Sequence, residues 1–216
     1  SNLGNGIAPI ALAFGVLALP GATPTSLSLV LAAQGIPLVV MLPIGGVIAD
    51  RLGRARVIAV TDIVLSAFVM TTAVLFLTGT ATVPLLIGLS FVSGVLNGLW
   101  WPAFPGLVPD VIKDEDLLQP ANAYVSVGSN AGLIVGNAVG GVLVAAFGSG
   151  IAIAIDAMTF FFAGLLVLSF RSVSKPHESG ESIAVDLAHG WRVFISFRGV
   201  VVIVRSEEHT SELQSH

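Results

Sequence analysis

The sequence predicts an all-α membrane protein with six transmembrane helices. Three observations carry that prediction. Six apolar runs approach or reach the roughly 20 residues that a helix needs to cross a bilayer. Charged residues make up 10% of the 216-residue chain and hydrophobic ones 55%, whereas soluble domains carry about a quarter charged. The charges also cluster in the breaks between runs, most densely in Gly46-Val-Ile-Ala-Asp50-Arg51-Leu-Gly53-Arg54-Ala-Arg56. Nothing before Asp50 is charged, and Asp62 is the one charge between Arg56 and Asp110. The mean hydropathy, +0.95, agrees.

Each run is bounded by a recognisable break. The first spans about Leu3–Leu19 and ends at Pro20-Gly-Ala-Thr-Pro-Thr-Ser26, a cluster of helix breakers. The second, about Leu27–Ala49, ends at the charged turn. The third, about Val57–Leu77, ends at Thr78-Gly-Thr-Ala-Thr82. The fourth, about Val83–Phe104, is followed by a polar segment, Pro105–Gln119, holding Asp110, Lys113, Asp114, Glu115 and Asp116. The fifth, about Pro120–Phe147, turns at Gly148-Ser-Gly150 into the sixth, about Ile151–Phe170. Prolines 9, 37 and 43 fall inside runs, which membranes tolerate when neighbouring groups satisfy the freed backbone.

Residues 1–170 are thus expected to form one six-helix bundle. Residues 171–198 read as a cytoplasmic linker with an amphipathic interfacial helix, Ile183–Ile195, anchored by Trp191. Residues 199–204 read as the truncated start of a seventh helix. Residues 205–216 turn abruptly polar and back-translate in one frame to a sequence resembling a short-read sequencing adapter. This tail is expected to be an artefact, with native sequence ending near Val204. The opening Ser1-Asn-Leu-Gly-Asn5 has neither a basic signal region nor an initiator Met, so the chain is expected to begin inside a longer protein.

Basic residues set the orientation. Arg51, Arg54 and Arg56 follow the second run, Lys113 the fourth, and Arg171 and Lys175 the sixth. The alternate loops hold no Lys or Arg, so the N-terminus and the basic loops are expected to be cytoplasmic.

The chain also repeats itself. Gly45, Gly46 and Gly53 match Gly140, Gly141 and Gly148 at one constant offset, and Asp62 matches Asp156 at that offset less one. The two turns fall on opposite sides of the membrane, the pattern of two inverted three-helix repeats.

Several polar and small residues are candidates for function. Asp50 ends a helix, where a negative charge opposes the helix dipole and calls for an outside partner. Gly46 permits close helix approach and Gly53 a tight turn. The arginines also read as topology markers alone. Gly132, Gly136 and Gly140 form one small-residue face for helix packing. Of the polar groups inside runs, Asn5, Gln34 and Asn130 are candidate cavity residues. Asp62 and Asp156 are either functional acids or structural ones near a helix start, the structural role being weighed higher. Trp100 and Trp101 read as interfacial belt residues.

The charged turn resembles the loop between the second and third helices of the major facilitator superfamily, Gly-x-Leu-Ala-Asp-Arg-x-Gly-Arg-Lys. Ile48 stands for the Leu, and Ala55 for the Lys. The resemblance implies the N-terminal half of a twelve-helix transporter working by alternating access. It implies that Gly46, Asp50, Arg51, Gly53, Arg54 and Arg56 form a conformational switch. Asp110 would pair with Arg54 or Arg51, and Asp50 would meet a helix end in the missing C-terminal half. Asp50 is therefore expected to be exposed or aimed at nothing in this chain alone. Gly136-Asn137-Ala-Val-Gly140-Gly141 resembles the antiporter pattern Gly-Pro-x-x-Gly-Gly, with Asn137 in place of the Pro. The opening residues, Trp101-Pro-Ala103 and Asp156-Ala-Met-Thr-Phe160 are similar to bacterial macrolide-efflux and enterobactin-exporter-like members. Asn5 falls where relatives often carry Asp, and an Asn cannot titrate.

These readings imply export of an amphiphilic small molecule across the bacterial cytoplasmic membrane by proton antiport, with no cofactor. The expected partners are the lipid bilayer, the substrate and the missing six-helix half. An importer or lipid transporter of the same fold is the first alternative. A non-transporting incomplete membrane protein is the second. The chain has no Cys, its four His lack metal-ligand spacing, and there is no phosphate-binding loop or basic aromatic surface. No enzyme activity, metal site or nucleic-acid partner is expected.

Overall fold

A computed structural model describes residues 2–169, so the expected linker, seventh-helix start and polar tail lie outside the described residues. Five helical segments follow one another: α1 (Asn2–Leu17), α2 (Pro24–Leu52), α3 (Arg54–Leu77), α4 (Val83–Val111) and α5 (Glu115–Ser169). No strand occurs among the described residues. Segments α2 to α5 are long and apolar enough to cross a membrane; α1, at 16 residues, is shorter.

A straight helix of 55 residues would run about 80 Å, far beyond the roughly 30 Å hydrocarbon core. The segment α5 is in fact broken at Gly148 (φ 80°, ψ 167°), where the stretches 115–147 and 149–169 meet. The three-residue turn expected at 148–150 is therefore a single glycine.

Local chemistry sets the ends. Thr23 caps α2 in a reciprocal box with Ser26, and Pro24 follows at the first position, where its missing N–H costs nothing. The polar segment expected at 105–119 is mostly helix. The segment α4 continues to Val111 through Pro105 and Pro109. Pro102, Pro105 and Pro109 are spaced by three and four, so they share one face and leave the opposite face bonded. Only 112–114 separates α4 from α5. Asp114 then caps α5, its Oδ1 accepting from the Asp116 N–H at 3.1 Å, and Glu115 and Asp116 suit the positive helix start.

Packing runs through small residues, as expected where lipid is as apolar as a side chain and close backbone contact must hold helices together. The segment α1 lies on the first stretch of α5, where a Cβ on Gly6 would come 2.7 Å from the Asn137 nitrogen. Gly94 and Gly98 of α4 lie against Gln34, Leu38 and Met41 of α2. Gly164 of α5 lies against Ala59 and Ile63 of α3. The buried core between them is built mainly of Ala, Val and Ile, including Ile7, Ala11, Ala73, Ala152 and Ile153. Large apolar side chains such as Ile36, Ile134 and Val142 point outward.

Candidate functional site: a glycine-broken turn and a polar cavity

The charged turn is held by one residue. Gly53 adopts φ 91°, a conformation that favours glycine, and joins α2 to α3 without a loop. The next residue, Arg54, reaches in three directions. Its Nη2 lies 2.9 Å from Asp50 Oδ1 and its Nε donates to the same oxygen at 3.0 Å. Its Nη1 donates to the Gly106 carbonyl at 2.6 Å and lies 3.8 Å from Asp110. One guanidinium thus ties the end of α2 to the end of α4. Arg51 is half-buried and Arg56 exposed.

Asp50 is exposed, as expected, with 55% of its side chain accessible, and it is paired with Arg54. The planar five-donor fork of Arg54 serves two elements at once, which leaves it free to turn back on Asp50. One expectation needs correction: the close helix approach is at Gly45 rather than Gly46. A Cβ at Gly45 would overlap the Gly98 carbonyl, whereas one at Gly46 would sit 3.8 Å from Pro102, an ordinary contact. Adjacent helical positions differ by about 100°, so only one of the pair can face α4.

The helix-5 glycines divide similarly. A Cβ on Gly136 would overlap the Leu3 carbonyl, one on Gly140 would come 2.9 Å from Ile7 Cα, and one on Gly132 3.3 Å from Asn2. Gly141 has open space beside it, and the Asn137 side chain is exposed. Asn2 Nδ2 donates to Ser129 Oγ at 2.8 Å, a further tie between α1 and α5.

A cavity of about 180 Å³ opens among α1, α2, α3, α4 and the second stretch of α5. Its polar lining includes Asn5, Gln34, Ser90, Ser93, Asn97 and Asp156. The structure thus brings Asn5, Gln34 and Asp156 together. It does not add Asn130, which is exposed on α5, or Asp62, which is buried beside Trp100 of α4 and Gly164 of α5. Asp62 and Asp156 are 2% and 1% exposed. Each lies roughly two turns into its helix, past the first turn, where a helix-start dipole acts. Trp100 is buried and stacked on Phe104 at 4.8 Å; only Trp101 has the exposure of a belt residue.

Sequence reasoning did not single out four contributors. Ser90, Ser93 and Asn97 were legible as one polar face of α4 by their spacing of three and four. Gly106 was not, because its role is to make room: a Cβ there would strike the Arg54 guanidinium. No group of three or more potential metal ligands occurs among the described residues.

The sequence model of the transmembrane secretion effector family matches residues 1–210. The chain belongs to that family. It is a major facilitator superfamily protein, and its multi-pass helices are membrane-spanning segments. Among curated relatives, the quinolone resistance protein NorA of Staphylococcus aureus (strain MRSA252) is 27% identical over 187 residues, covering 82% of this chain and 45% of that protein. The uncharacterized MFS-type transporter YkuC of Bacillus subtilis (strain 168) is 27% identical over 172 residues, covering 79% of this chain and 39% of that protein. The chain spans less than half the length of these relatives. In this secretion-effector chain, the charged turn ties two helix ends together and the cavity gathers amide, hydroxyl and carboxyl side chains.

Proposed function

We propose that this chain is the N-terminal, six-helix half of a secondary active exporter in the bacterial cytoplasmic membrane, with its N-terminus cytoplasmic. It moves an amphiphilic small molecule outward by alternating access, in exchange for protons. The observation that carries the reading is the partly polar cavity, enclosed by membrane-length helices in a chain similar to a quinolone resistance protein.

The packing supports two inverted three-helix repeats. Taking the two stretches of α5 as the fifth and sixth helices, exchange of the repeats turns the α1–fifth pair into the α4–second pair and leaves the third–sixth pair in place. All three pairs meet through glycine. Gly53 and Gly148, the matched turn glycines, are both positive-φ breaks. Drug-sized ligands fill pockets of about 300–1,000 Å³, and 180 Å³ is too little. The substrate site therefore needs walls from a second half.

The test is transport by the full-length gene product in proteoliposomes with an imposed pH gradient, using ethidium as the probe. Outward-directed, gradient-driven flux is expected, and the 216-residue chain alone should give none. Gradient-independent flux, or accumulation in the uptake direction only, would overturn the export reading.

A further inference from the structure

The buried carboxyl of Asp156 is not explained by packing. It is 1% exposed, and neither side-chain oxygen has a hydrogen-bond partner. The neighbouring Thr159 hydroxyl donates to the Asp156 backbone carbonyl at 2.8 Å. A carboxylate enclosed in this way costs several kcal/mol unless it meets a donor or a cation.

The place of this carboxyl is specific. Asp156 sits against Gly4 of α1, where any side chain would collide with its Oδ1, and it lines the cavity. The groups that line the cavity with it are amides, hydroxyls and apolar side chains. They include Asn5 from α1, Gln34 from α2, Thr72 from α3, and Ser93 and Asn97 from α4. No Lys, Arg, His or second acid lines this cavity among the described residues. The other buried acid, Asp62, lies beside Trp100 and Gly164 instead. The cavity therefore holds one ionisable side chain among its described lining residues, with no charged partner in that lining.

We propose that Asp156 is the proton-carrying residue of this half, and that a proton on its carboxyl and a substrate in the cavity compete. This deepens the export reading and rests on it. With the cavity open to the outside, a proton from water forms an O–H bond at Asp156 and the substrate leaves. With it open to the cytoplasm, that bond breaks, the proton passes to cytoplasmic water and a new substrate enters. No electron moves and no further reactant is needed. Asn5, which cannot titrate, is a hydrogen-bonding wall of the same site.

The experiment uses the full-length protein and ethidium, whose fixed charge keeps its own protonation out of the result. Wild type should release protons on binding the dye in weak buffer. Its affinity should fall about tenfold per pH unit where the carboxyl is protonated, as linkage requires for strict competition. Asp156→Asn should bind dye with no proton release and a flat pH profile, and should lose gradient-driven flux while keeping dye exchange at equal pH. Asp156→Glu should restore release and flux. Proton release or driven flux in Asp156→Asn equal to wild type would overturn the proposal. Should that variant not fold, dicyclohexylcarbodiimide labelling of wild type decides. An adduct mapped to Asp156 and reduced at least about fivefold by ethidium, the low end of ordinary coupling, supports it; no adduct there overturns it. Absence of driven flux in wild type would instead defeat the export reading itself.

Discussion

The two matched turns use one backbone device for different chemistry. Gly53 and Gly148 both hold positive φ, and each joins two helices without an intervening loop. Around Gly53 stand Asp50, Arg51, Arg54 and Arg56, and Arg54 ties two helix ends together. Around Gly148 there is no charge between Pro120 and Asp156, and the glycine is exposed with open space beside it. The device itself needs only glycine. The charges are an addition at one end, which suits a turn that fixes topology and fastens helix ends rather than one that merely reverses the chain.

The largest expected effect would break the comparison at its shared part, the glycine contacts. Gly45→Val drives a side chain into the Gly98 carbonyl and Gly140→Val into the Ile7 backbone. Each should cost about 1–3 kcal/mol or more, the range for overpacking, and lower the unfolding temperature in detergent. Gly46→Ala and Gly141→Ala, one position on, should be near neutral.

Next come the turns. Gly53→Ala and Gly148→Ala each force a side chain into a left-handed backbone at about 1–3 kcal/mol. Gly53 is buried and Gly148 exposed, so the same melts should place Gly53→Ala lower. Equal losses would show that the turns differ only in sequence.

The smallest effect isolates the added charge. The Arg54–Asp50 pair is 30% and 55% exposed, so about 0–1 kcal/mol is expected from it. Losing the Gly106 bond adds roughly 1 kcal/mol. Arg54→Ala should therefore destabilise modestly, and Arg54→Lys should recover only part because an ammonium cannot span Asp50 and Gly106 as a fork does. Arg56→Ala, at an exposed site, should be silent in the same measurement.

Much of the fold was legible because a membrane writes its demands into composition. Apolar runs and breakers located the helical segments within a few residues, and the glycine spacing pointed to both positive-φ turns. What escaped lies between helices or at their ends. The prolines at 105 and 109 looked like a stop, yet their shared face let α4 run on. The acids at 114–116 looked like a loop, yet Asp114 is a cap. As polar groups inside apolar runs, Asn5, Gln34 and Asn130 were put forward together. Helix rotation, set by which glycine meets which carbonyl, turned two into the cavity and one out. Gly106 left no signal because its contribution is an absent side chain.

The central claim is that the two glycine turns lie on opposite faces of a membrane. The chain contains no Cys, so a single thiol at each turn reads directly. Arg56→Cys and Ser149→Cys, in the full-length protein in intact cells, would be treated with a membrane-impermeant maleimide before and after permeabilisation. The account predicts that Ser149→Cys labels in intact cells and Arg56→Cys only once the membrane is opened. Labelling of both from the same side would contradict it.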